Sequence, residues 1–222
     1  MAGRKARNLK REEIQMFLKL RQFNGETVTS HRNQMFIIGM INLGLRCHEM
    51  LKLTRRHLMD SQGEIRDTVY LLEKEVKGKA AEEIRMNAHA KMVFRIWLKR
   101  QADEWGQESG DDFIIPQRNG RQVKVTTMCN LINRAKRELK LPGNVSTHSF
   151  RKTFAQTIYK RFMDQLADGR RVDPLLNTSQ ALRHKSIEST RHYIEPDRKE
   201  IDAAIDALGD FMFTTTQHLT TQ

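Results

Sequence analysis

Thr147-His148-Ser149-Phe150-Arg151-Lys152-Thr153-Phe154 is the stretch on which the reading of this chain turns. His148 and Arg151 stand three apart, and the apolar residues that follow keep a helical rhythm: Phe150, Phe154 and Ile158, with Ala155 and Tyr159 beside them. On a helix, positions i and i+3 share a face, so the imidazole and the guanidinium point toward one place. A histidine able to carry a proton, next to a permanent cation with a planar fork of donors, suits an anionic oxygen such as that of a phosphate. The plainer alternative is a solvated helix start with two ordinary polar residues. The rest of the chain decides between them.

The 222 residues suffice for one large or two small domains and for a sizeable core. Hydrophobic residues make up 38% and charged residues 30%, a globular composition with a heavily charged surface. The net charge of +12, with a pI near 10.0, points to a polyanionic partner, most simply nucleic acid. Cys47 and Cys129 lie far apart with no framework or zinc spacing, which fits a reducing compartment. No apolar run is long enough to span a bilayer, and the basic start has no apolar segment after it, so neither a membrane nor a secretory signal is expected.

Upstream, residues 1–7 form a short basic leader able to lie against phosphates. Asn8 reads as a helix N-cap, with Glu12 and Glu13 in the first turn, and Gly25 as the stop of a helix carrying Ile14, Phe17, Leu18 and Phe23. A second helix is expected from Thr29 or Ser30 to Leu43, broken at Gly44. Leu45-Arg46-Cys47-His48-Glu49-Met50-Leu51 follows, in which Glu49 can hold the Arg46 guanidinium from three residues away. Such an arginine is placed to bind an anion, although an internal Arg–Glu pair is an equal reading. Ile65 to Leu72 reads as a strand and Ile84, Met86 and Ala88 alternate as its return, so Lys77-Gly78-Lys79 would tip a β-hairpin. A lysine there can enter a DNA groove or donate a proton, or simply be a solvated turn residue. Helices are expected from about Ala90 to Trp105, from Thr126 to Leu139, and from the opening stretch to about Leu166.

The last informative stretch is Leu182-Arg183-His184-Lys185-Ser186-Ile187-Glu188-Ser189-Thr190-Arg191-His192-Tyr193. Ser186 would cap a short helix, with His184 ending the helix before it and Tyr193 ending this one. Ile201, Ala204, Ile205, Leu208, Phe211 and Met212 then make a closing amphipathic helix.

Gly44-Leu45-Arg46 with Glu49, Thr147-His148-Ser149-Phe150-Arg151, and Leu182-x-His184-x-x-Ile187-x-x-Thr190 with Tyr193 nine residues past His184 resemble the arginine boxes and nucleophile segment of the phage-integrase family of tyrosine recombinases. The resemblance runs from about Asn8 to Phe213. It implies an α+β fold, mainly helical with a small antiparallel β-sheet. It also implies a catalytic set of Arg46, Lys77, His148, Arg151, His184 and Tyr193, with Glu49 supporting. Lys79, Arg183 and Lys185 are expected at the DNA, and Lys79 competes with Lys77 for the lysine role. The implied activity is site-specific cleavage and rejoining of DNA through a 3′-phosphotyrosine, for integration, excision or inversion, without cofactor or metal. The implied partners are double-stranded DNA and further copies of the chain, as a tetramer on two DNA sites, in the cytoplasm at the nucleoid. A topoisomerase of the type that shares the tyrosine and arginine logic, and a DNA-binding module without catalysis, remain as other readings.

Several features depart from the pattern. Asn42 or Leu43 stands where a threonine is common, Arg183 replaces the usual glycine before His184, and the segment around Gly169 to Thr178 lengthens the gap between the last two boxes. The separate helical core-binding domain of most members is not evident, so a free-standing or a truncated catalytic domain is expected. The expected organisation is a leader at 1–7, a catalytic domain at 8–197, a helix at 198–213 that either docks on a neighbouring subunit or folds back onto its own domain, and a flexible tail at 214–222.

Overall fold

In the computed structural model, which describes residues 5–71 and 82–194, the elements run α1 (Arg11–Lys19), α2 (Val28–Leu43), α3 (Cys47–Lys52), α4 (Arg55–Leu58), β1 (Thr68–Leu71), β2 (Glu82–Arg85), α5 (Ala88–Trp105), α6 (Val125–Glu138), α7 (Thr147–Ala167), α8 (Pro174–Ala181) and α9 (Ile187–Arg191). Lys77, Lys79 and the segments 198–213 and 214–222 lie outside the described residues.

Helix α2 is the hub. Met35, Phe36, Ile37, Met40 and Leu43 are all buried, and α3, α5 and α7 pack around it. From Met35 to Leu43 the helix is apolar on nearly every side, which places that half in the interior. Its start is fixed by Thr27, whose side chain accepts from the Ser30 N–H at 3.0 Å while Ser30 Oγ accepts from the Thr27 N–H at 2.9 Å. Its end is fixed by Gly44 at φ +59°, a left-handed conformation that a residue with a side chain adopts only at a cost. The two strands form one antiparallel pair, with Val69 opposite Ile84, so the mainly helical α+β class is correct.

Three elements have boundaries that differ from expectation. Helix α1 begins at Arg11, because the Lys10 N–H, rather than a group at Asn8, finds the Glu13 carboxylate at 2.8 Å, and it ends at Lys19, well before Gly25. Ile65 pairs in an isolated bridge with Met59, so β1 starts only at Thr68. Ala88 opens α5 rather than closing a strand, since the Asn87 side chain accepts from the Ala90 N–H at 2.8 Å and caps the helix.

The leader is tied down at its last residue. Arg7 pairs with Glu13 at 2.5 Å, donates to the Pro142 carbonyl at 2.9 Å, and its N–H meets the Asn144 carbonyl at 3.0 Å. The Leu9 N–H donates to Thr153 Oγ1 at 2.8 Å, which fastens the start of the chain across α7.

A side chain at Gly44 would collide with the Phe154 ring of α7 as well as strain the helix end. Gly44→Ala is therefore expected to lower stability by about 2–4 kcal/mol, left-handed strain plus overpacking, as read from the urea midpoint. An unchanged midpoint would show that this turn tolerates a Cβ.

Candidate active site

Arg151 is the deepest polar group of the molecule's main charged cluster. It is 0% exposed, although it projects from the second turn of α7. Its Nη1 donates to the Gly44 carbonyl. Its Nη2 donates to the Leu182 carbonyl at 2.8 Å and to His184 Nε2 at 3.2 Å. Those two carbonyls belong to the C-caps of α2 and α8, where helix dipoles present partial negative charge. Burial, followed by the repulsion of Arg46 and Arg183, pulls the Arg151 pKa down to about 10, so it stays a cation at neutral pH.

Because Arg151 is a donor only, His184 Nε2 must accept, and the proton sits on Nδ1. Nδ1 then donates to the Thr190 hydroxyl at 2.9 Å, and Thr190 is itself fully buried. The Tyr193 N–H donates to the Thr190 carbonyl at 2.8 Å, so one threonine holds both the histidine and the tyrosine. The Tyr193 ring lies 5.0 Å from the His184 ring, tilted by 50°, and 5.6 Å from the Arg151 guanidinium carbon, within cation–π range. Helix α9 is capped as expected, with Ser186 Oγ accepting from the Ser189 N–H.

The first arginine box closes the other side. Arg46 precedes α3, and Glu49, at the third position of that helix, accepts from the Arg46 N–H at 2.7 Å and from its Nη1 at 2.8 Å. Burial alone would raise the Glu49 pKa; the Arg46 N–H and guanidinium, then Arg183, outweigh it and hold the carboxyl below its usual range. Arg151 Nη1 stands 3.9 Å and Arg183 Nη2 3.4 Å from the same carboxylate. Three guanidiniums thus face one carboxylate, and two positive charges are left over for an anion.

His148 and Arg151 do share a side of α7, at different depths: the histidine reaches the surface with its ring partly covered, and the arginine lies beneath. Partial burial, then the Arg151, Arg46 and His48 charges, depress the His148 pKa. His48, exposed on α3, is depressed in the same way, by burial first and by Arg46 and Arg151 among its neighbours. Lys185 is exposed, whereas the Arg183 side chain, expected at the DNA, is only 8% exposed and turned inward.

Sequence reasoning assigned no task to Thr190, to His48, or to the carbonyls of Gly44 and Leu182. The fixed place of Thr190 six residues after His184 was the one available signal. Backbone acceptors carry none.

The chain matches the family model described as the phage integrase family over residues 7–200. It is 24% identical over 199 residues to the tyrosine recombinase XerC of Rickettsia bellii (strain OSU 85-389), covering 88% of this chain and 58% of that protein's length. Among solved structures, XerH site-specific recombinase bound to a palindromic difH substrate, in a post-cleavage complex, superposes with a TM-score of 0.68 at 18% identity. That likeness covers 92% of this chain and 53% of the XerH chain. XerA recombinase gives a TM-score of 0.65 at 13% identity, covering 93% of this chain and 65% of that one.

His31, His48 and His148 all have depressed pKa values, each chiefly through burial. Unfolded histidines take up a proton near 6.5, while these resist it, so below that pH the unfolded state binds more protons. Stability is expected to be full above about pH 6.5 and to fall as the pH drops toward 5, with a shallower fall in His148→Gln. Urea midpoints at three pH values check this; a midpoint that rises on acidification would contradict it.

Proposed function

This chain is a member of the phage integrase family, and we infer that it is a site-specific DNA recombinase that breaks and rejoins strands through a 3′-phosphotyrosine. The observation that supports this best is the meeting of Tyr193, His184 and the buried Arg151 in one contact network, with Arg46 held beside it by Glu49. A module that only gripped DNA would need the arginines but not a tyrosine brought against them.

The chemistry follows from the groups. A phosphodiester resists attack because its oxygens are already negative. Arg46 and Arg151 neutralise the non-bridging oxygens, most strongly as charge builds in the transition state. His184, with its proton on Nδ1 and Nε2 accepting from Arg151, holds the guanidinium in place for the phosphate. The Tyr193 oxygen attacks phosphorus, forms the O–P bond, and the 5′-oxygen leaves with the bonding pair. His148 assists proton transfer, and Lys77, or Lys79 next to it, protonates the leaving oxygen. Attack by a 5′-hydroxyl of another strand reverses the step, so the phosphotyrosine conserves the bond and no nucleotide is consumed. Lys185 contacts the DNA backbone. Strand exchange takes place in a tetramer on two sites, with segment 198–213 docking on a neighbour.

Tyr193→Phe keeps the ring against His184 and Arg151, so it is expected to bind duplex DNA normally yet form no covalent adduct with a nicked suicide substrate. An adduct at the wild-type level would move the nucleophile elsewhere. Arg46→Ala, at a partly exposed position, is expected to slow adduct formation about 10²–10³-fold with the fold intact. Arg151→Ala is not an equally clean test. It strands two buried carbonyls at Gly44 and Leu182, and is expected to unfold the site at a cost of about 3–5 kcal/mol. Adduct formation is expected to persist in excess chelator; its loss there, with rescue by a divalent ion, would favour a metal nuclease. Deletion from Glu200 onward is expected to leave DNA binding intact and abolish strand exchange, seen by sedimentation with site DNA and a recombination assay. A truncated chain that exchanges strands normally would refute the docking in trans.

A further inference from the structure

Arg183 sits where the family pattern usually has glycine, and the backbone there still has a glycine-like shape, with φ +56°. Among the described non-glycine residues only Lys140, at φ +50°, shares that region. A side chain in this conformation is strained. The side chain is also an arginine, 8% exposed, brought into a pocket that already holds Arg46 and Arg151. Its nearness is one of the causes that lower the proton affinity of Arg151. Strain, desolvation and like-charge repulsion all argue against an arginine here if the turn merely had to be made, because glycine would make it without any of them.

The contacts show what Arg183 does in return. Its Nη2 reaches Glu49 Oε2 at 3.4 Å, and its Nη1 donates to the Leu43 carbonyl at 3.5 Å. Both partners lie more than a hundred residues away, in the wall formed by α2 and α3. The residues on either side of it are the two that hold Arg151: Leu182 through its carbonyl and His184 through Nε2. Fastening Arg183 to Glu49 therefore fixes the turn that aims Leu182 and His184 at Arg151. It also fixes the ring that lies against Tyr193. The charge it adds has a use as well. A phosphodiester carries one negative charge, and attack by a phenolate brings a second. Three guanidiniums against Glu49 leave two positive charges to meet them.

We propose that Arg183 is a positioning residue that clamps the Leu182–His184 turn to Glu49, and through it sets His184 and Arg151 for the transition state. This rests on the recombinase reading, and it differs from a direct DNA contact by Arg183.

The test compares wild type with Arg183→Gly and Arg183→Lys in single-turnover adduct formation, in DNA affinity across a salt series, and in thermal stability. His184 ring-nitrogen NMR in the DNA-free protein is a fourth measurement. Arg183→Gly relieves the backbone strain, so it is expected to fold and melt near wild type. Its adduct rate is expected to fall about thirtyfold or more, with the dissociation constant and salt slope unchanged, since the loss lies in the transition state. Arg183→Lys, which keeps the charge, is expected to recover most of the rate. The His184 ring signals are expected to lose the Nδ1–H tautomer pattern in Arg183→Gly. A rate within about threefold of wild type would overturn the proposal, as would a loss that tracks the folded fraction. Weaker binding with a salt slope reduced by about one would make Arg183 a phosphate contact instead. A wild-type protein that forms no adduct would refute the recombinase reading alone. The NMR comparison then still decides the clamp, and unchanged His184 signals would reject it.

Discussion

The buried guanidinium of Arg151 is the constraint around which this molecule is arranged. Removing a cation from water costs several kcal/mol, a cost that good acceptors for its donors offset; in Arg151 both Nη groups find them and Nε does not. Here the acceptors are two helix-capping carbonyls, Gly44 at the end of α2 and Leu182 at the end of α8, with His184 beside them. Each lies where a helix ends and its unpaired carbonyls need a donor. The cation and the two C-termini thus meet each other's needs, and three stretches far apart in the sequence are fixed relative to one another by one side chain. That accounts for features that look unrelated locally: a glycine at φ +59°, a left-handed Arg183, and an α7 whose first two turns are buried on nearly every side.

Glu49 plays the complementary part. A single carboxylate, 5% exposed, takes the N–H that starts α3 and faces the guanidiniums of Arg46, Arg151 and Arg183. Without it, three cations would repel one another inside a low-dielectric pocket. With it, the cluster remains positive by two charges, enough to attract an anion and too few to drive the arginines apart. The same carboxylate that caps a helix therefore sets the electrostatic state of the site, and α3, only six residues long, is held by that double use more than by its own length.

The sequence made the site legible to different degrees in different places. His148 and Arg151 stood out through their helical spacing and shared chemistry, His184 and Tyr193 through the resemblance of their segment to the family's. The fold class came with that resemblance, and the helical segments around a single alternating pair agree with it. Helix ends were less so. The start of α5 at Ala88 depends on an Asn87 side chain, and that of α1 on a Glu13 carboxylate reaching Lys10. An alternating or periodic pattern does not record either. Arg183 was expected at the DNA; its inward turn depends on Glu49, 134 residues away. The carbonyls that hold Arg151 have no letter in the sequence at all.

The two halves of the site also differ in how firmly they are held. Arg151, Glu49 and Gly44 are core groups, surrounded by packed helices. Tyr193 is carried at the end of α9, a helix of five residues whose side chains, Thr190 excepted, are exposed. Its ties inward are the Thr190 carbonyl, the His184 ring and the Arg151 face. Segments with few buried contacts open at far lower free energy than the core around them. An arrangement in which the charged set is rigid and the tyrosine rides on a marginal element lets the tyrosine move without disturbing those charges.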